Sequence, residues 1–128
     1  MLGIYKYPSG VGQISEDESF SNPIVWSAPS TGATIEQTFY LRMNSPSAEY
    51  LTDGLLYCTD LGDTDESGWV QFALDVAGVA GTYGPTLSFD LAADEELKFW
   101  IMIDIPTSWS PNPKYDLRIA CDYTRHII

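Results

Sequence analysis

The sequence predicts an all-β fold: an antiparallel β-sandwich of seven or eight strands, immunoglobulin-like or jelly-roll-like. Three observations carry that prediction. Apolar and polar residues alternate with a period of two in one stretch after another. Helical periodicity is almost absent. Turn-forming clusters punctuate the chain at Pro8-Ser9-Gly10, Pro29-Ser30-Thr31-Gly32, Asn44-Ser45-Pro46, Gly62-Asp63, Gly84-Pro85 and Pro111-Asn112-Pro113.

In chain order, residues 1–22 read as an N-terminal arm or first strand, and residues 23–128 as the sandwich, within one domain overall. The opening segment holds Gly3, Gly10, Gly12 and the acidic run Glu16-Asp17-Glu18. An arm of that kind would pair with a neighbouring subunit's sheet edge, whereas a first strand would pair within its own sheet. Short strands are expected at Ile4–Tyr7 and Ile24–Trp26. Thr34–Asn44 is the clearest strand: Ile35, Gln37, Phe39, Leu41 and Met43 share one face, and Thr34, Glu36, Thr38, Tyr40 and Arg42 share the other. Leu55–Thr59 follows, then Trp69–Asp75 with Val70, Phe72 and Leu74 aligned. Thr86–Leu91 turns Leu87, Phe89 and Leu91 inward. A short helical turn is expected at Ala92–Glu96. In Leu97–Ile105, Phe99, Ile101, Ile103 and Ile105 align, and Trp100 with Met102 on the opposite face predict cover on both sides. Tyr115–Tyr123 turns Leu117, Ile119 and Cys121 inward and Asp116, Arg118 and Asp122 outward.

A chain of 128 residues is the length of one domain with a core of its own. The formal charge is -12, with only six Lys and Arg. Phosphate backbones and anionic lipids are bound by clustered cations, so neither nucleic acid nor membrane is an expected partner. No segment reads as a signal peptide, and the apolar run Phe99-Trp100-Ile101-Met102-Ile103 falls far short of the ~20 residues that span a bilayer. Synthesis in the cytoplasm is the expectation. Cys58 and Cys121 both fall in expected strands, as buried thiols or as an inter-sheet disulfide, and the thiol reading is preferred.

Signals for catalysis are sparse. His126 is the chain's one histidine, so any nucleophile–histidine site would have to use it. The sequence holds no Gly-x-Ser-x-Gly elbow and no glycine-rich phosphate loop, and two distant cysteines with one histidine have no zinc spacing. The expectation is therefore a protein that is not an enzyme and has no cofactor, with calcium left open. Asp60, Asp63, Asp65 and Glu66 crowd into one loop and could supply oxygen ligands, although the spacing is not an EF-hand's. Asp94-Glu95-Glu96 more simply caps a short turn. Trp109 and Tyr83 lie in loops and are candidates for exposed platforms that stack surface glycans. Trp26, Trp69 and Trp100 are expected in the core or at a subunit interface.

From Glu66 onward a longer pattern emerges. Glu66-Ser67-Gly68-Trp69-Val70-Gln71-Phe72-Ala73-Leu74-Asp75 is followed by Leu87-Ser88-Phe89-Asp90-Leu91-Ala92-Ala93-Asp94-Glu95. Next come Phe99-Trp100-Ile101-Met102-Ile103-Asp104-Ile105-Pro106 and Asp116-Leu117-Arg118-Ile119. About half of the chain thus resembles the final strands of immunoglobulin-like sandwiches in bacteriophage virion proteins, both head-decorating and tail-associated. The resemblance implies a structural subunit of a virion that binds its own copies or other virion proteins as a homo-oligomer, and it brings no catalytic residues. A carbohydrate-binding or adhesive module is the alternative. The apolar pair Ile127-Ile128 is expected to pack on its own domain or on a neighbour.

Overall fold

The computed structural model describes residues 2–9, 11–16, 26, 32–43, 49–60, 66–109 and 117–128, with the backbone alone for 11–16. Among the described residues nine strands follow in order: β1 (Leu2–Tyr7), β2 (Val11–Glu16), β3 (Ala33–Met43), β4 (Glu49–Asp60), β5 (Val70–Val76), β6 (Val79–Ala80), β7 (Leu87–Leu91), β8 (Glu96–Ile105) and β9 (Leu117–Ile127). They form two antiparallel sheets, β2-β1-β3-β8-β5-β6 and β7-β4-β9. β6 contributes only two residues to its sheet. The all-β sandwich read from the alternation is the observed fold.

The pairing is nested. β3 pairs with β8, β4 with β7, and β5 with β6. A doubled ribbon folded over itself in this way is the jelly-roll arrangement, the second of the two topologies allowed by the strand rhythm. The β1–β2 hairpin extends the larger sheet beyond β3, and β9 extends the smaller one beyond β4. β1 and β2 therefore pair within their own chain. Ser9, at φ 63, donates its N–H to Glu96 Oε2 at 2.6 Å, which ties the hairpin tip to the start of β8.

Alternation sets the core. Phe39, Leu41 and Met43 of β3 are buried, as are Leu87, Phe89 and Leu91 of β7 and Phe99, Ile101, Ile103 and Ile105 of β8. Leu117, Ile119 and Cys121 of β9 face the same interior. Phe39 and Phe99 are direct cross-strand partners with ring centroids 6.0 Å apart. Trp26 is buried among them. Cys58 and Cys121 are thiols, with no disulfide between them. On the outer face of β8, Trp100 and Met102 are half-buried. Trp100 lies beside Ala73, which is fully buried beneath its neighbours.

Two expectations change. Leu74 stays 41% exposed although it shares the face of Val70 and Phe72. Among the described strands the smaller sheet has three and the larger six, so part of the larger sheet's inner face lies beyond the smaller one. The helical turn expected at Ala92–Glu96 is a tight turn instead. Glu95 N–H donates to Ala92 O at 3.1 Å, and Glu95 Oε1 accepts from Ala92 N–H at 2.9 Å. Asp94 sits at φ 63, which no right-handed helix can include.

The β5–β6 connection is a two-residue hairpin with both central residues left-handed, Ala77 at φ 53 and Gly78 at φ 88. Such a turn favours Asn-Gly, because alanine has no side-chain group to offset the left-handed strain. Ala77→Asn is therefore expected to stabilise the protein by about 0.5–1 kcal/mol, read as a higher urea midpoint at unchanged m-value.

Candidate functional site

Each residue singled out from sequence has a definite position or lies outside the described residues. Asp60 ends β4, and its Oδ2 accepts from Glu66 N–H at 2.8 Å, which closes the acidic loop at its neck. Glu66 itself is buried at the entry to the 3-10 turn Ser67–Trp69. Asp63 and Asp65 lie outside the described residues. Among the described residues, no three His, Cys, Asp or Glu side chains gather as metal ligands would. Calcium at this loop is a matter for measurement. A site present only in the native state adds about 2.7 kcal/mol at a hundredfold excess of ligand over Kd. Equal melting temperatures in calcium and in chelator would dispose of the site.

Trp109 is half-buried rather than standing clear. It meets Trp69 edge to face at 5.5 Å and packs against the core cluster. Its backbone N–H donates to Pro106 O at 3.1 Å in a turn just after β8. Packing against Trp69 and the core takes up part of the ring surface that a stacked sugar would use.

Tyr83 is also half-buried. Beside it, Gly84 pairs with Phe72 of β5. The phenol reaches across the outer face of the larger sheet to donate to Glu36 Oε2 at 2.7 Å. Between the two lie Gln71 and Met102, in the cross-strand row Glu36–Met102–Gln71. Burial, and then the Glu36 carboxylate, push the phenol well above its ordinary pKa. Tyr83 is thus engaged in bracing the sheet face.

The same face carries residues that sequence reasoning left unassigned. Trp100 Nε1–H donates to Asp75 Oδ1 at 2.9 Å, and Lys98 Nζ lies 3.8 Å from the same oxygen. The indole hydrogen bond holds the Asp75 carboxyl below its ordinary pKa, against opposing desolvation and with help from Gly78 N–H and Lys98. A lowered carboxylate pKa adds stability above the usual carboxylate range, and that contribution fades as pH falls through the lowered value. The signal for this group was long-range, since Asp75 and Trp100 meet only because β5 and β8 are neighbours.

His126 lies directly across from Tyr50, with the rings stacked at 4.6 Å and 8°. Its Nε2 is 2.8 Å from Thr52 Oγ1. A hydroxyl beside an imidazole is the outline of a nucleophile–base pair, but such pairs work when a third group orients the ring. No carboxylate among the described residues bonds the other ring nitrogen. The ring sits on the open outer face of the smaller sheet, where it serves as a cross-strand packing partner.

No family model, curated protein or solved structure matches this chain. Among the described residues, no helix is long and apolar enough to cross a membrane.

Proposed function

We propose that this chain is a non-catalytic assembly protein, a bacteriophage virion component that decorates the capsid or builds the tail by binding its own copies or other virion proteins. The observation that supports this most is β9. It runs for eleven residues, Leu117–Ile127, and among the described strands it lies at the edge of the smaller sheet, paired with β4. Long edge strands are generally blunted in solitary proteins and are used by assemblies for strand addition. The stretch that resembles immunoglobulin-like phage sandwiches falls on β5, β7, β8 and the first three residues of β9, although these strands pair here as a jelly roll. The virion reading rests on this likeness, and the assembly reading rests on the edge.

Sedimentation of the full chain alone, and mixed with assembled particles from cells that produce it, tests both. The expected result is a closed oligomer or co-sedimentation with particles. A protein that stays monomeric at every concentration and ignores particles would overturn the proposal.

A further inference from the structure

Among the described residues, the large apolar side chains left exposed are not scattered. By strand register, Tyr50, Leu74, Val76, Val79, Ile127 and Ile128 all fall toward one end of the sandwich; Tyr7 is exposed as well. The registers require this. The end of β3 pairs with the start of β8, Arg42 opposite Glu96. The end of β5 lies beside that same start, Leu74 opposite Phe99, and Val79 pairs with Val76. Only residues 44–48 separate β3 from β4, and only 92–95 separate β7 from β8, so β4 begins and β7 ends there too. β9 finishes there as well, Ile127 opposite Glu49.

Exposure at this end is substantial: 66% at Val79, 75% at Ile127 and 74% at Ile128. Ile127-Ile128 therefore does not pack on its own domain, the first of the two outcomes expected from sequence. Ile128 instead forms one wall of an open groove of about 370 Å³, with Leu91, Ala92 and Ala93 on the far side.

The charges around this apolar surface identify the kind of partner. Its cations are already matched locally: Arg42 with Glu96 at 3.7 Å, Lys98 with Asp75 at 3.8 Å and Arg125 with Glu49 at 3.8 Å. Asp53, Asp90, Asp94 and Glu95 are exposed and have no cation partner among the described residues. Asp90 borders the groove. Two copies set end to end would press these unmatched acids against each other while desolvating them, which disfavours a second copy.

We infer that this end of the sandwich docks a partner protein whose contact surface has an apolar centre ringed by lysine and arginine. The inference names the docking surface for the assembly reading above and rests on it. Apolar side chains supply the contact area, and the acidic border steers the partner and sets its register.

The test uses the full chain, isotope-labelled, and three synthetic helical peptides as probes: leucine with lysine, leucine with glutamate, and lysine with serine. The leucine–lysine peptide should shift the amides of Tyr50, Val79, Ala92, Ala93 and Ile127, bind at least about tenfold more tightly than the other two, and weaken with added salt. Val79→Glu with Ile128→Glu should abolish that preference, and Thr107→Glu, at the opposite end, should keep it. Equal binding of the three peptides, shifts spread over the whole acidic surface, or a dimer formed through these residues would overturn the inference. If the double variant still joins particles, the docking surface is wrong and the assembly reading stands. If the unaltered chain ignores particles yet binds the leucine–lysine peptide at this end, the surface stands and the assembly reading falls.

Discussion

Phe99→Ala is expected to lower the free energy of unfolding by about 3–5 kcal/mol. Phe99 has no exposed surface and lies on β8, which is flanked by β3 on one side and β5 on the other. Its direct partners are Phe39 and Leu74. Removing the ring forfeits its own burial and leaves a void that two paired strands cannot close without breaking register. Native domains are stable by about 5–15 kcal/mol, so a loss of this size takes a large share of the margin. Urea denaturation followed by tryptophan fluorescence reads it directly. Leu74→Ala is the internal comparison: it is Phe99's neighbour in the same row, but 41% exposed, and should cost clearly less. Equal losses at the two positions would show that cavity formation at β8 does not dominate.

Gly32→Ala should cost about 2–4 kcal/mol through two separate effects. Gly32 has φ +75, a conformation that an L side chain resists. A Cβ there would also lie 2.6 Å from Ile105 O and 3.0 Å from Thr107 N. Both are backbone atoms, and moving them would disturb the end of β8 where it pairs with Ala33. Gly78→Ala separates the two effects. Gly78 has φ +88, and a Cβ at that position would meet nothing within 4 Å. Its substitution should show only the conformational cost, about 1 kcal/mol. If Gly32→Ala were no worse than Gly78→Ala, the close approach to β8 would be refuted.

Much of the fold was legible because alternation reports on facing. The inward sets on β3, β7, β8 and β9 follow from residues two apart in sequence. Alternation says nothing about which strand lies alongside which, so the nested pairing stayed hidden. β4 shows a second limit. From sequence it begins at Leu55, but it starts at Glu49 and runs through Asp53-Gly54. That dipeptide has the composition of a turn. Here Asp53, at φ 55, is the extra residue of a β-bulge, and the register shifts against β7 and β9 at this point. The ring of Phe89 fills the space a side chain at position 54 would need, with atoms 2.5–2.6 Å from where its Cβ would lie. β2 was missed because Gly12, Gln13 and Ser15 are weak strand formers, and its place is fixed by β1 rather than by its own composition.

The candidate surfaces were less legible for a related reason. Trp109 and Tyr83 were picked out as loop aromatics, but loop position does not decide where a ring turns. Trp69 claims one, and Glu36 holds the other. The exposed apolar end could not be read at all from local pattern. Leu74 and Val76 follow the same alternation as Phe72, yet both are exposed, because exposure depends on what the other sheet reaches and not on local pattern.

The doubled-ribbon pairing also bears on how the chain reaches its native state. β3 must find β8 across more than fifty intervening residues, a search that is slow when attempted directly. Once the two-residue turn at Ala77–Gly78 has formed, β4 and β7 are held closer together, and their closure in turn shortens the span left for β3 and β8. The chain can thus zip outward from its tightest bend, each closure lowering the entropy lost in the next. On that route Ala77→Asn would quicken folding and leave unfolding nearly unchanged, a partition that the two limbs of a chevron plot report separately.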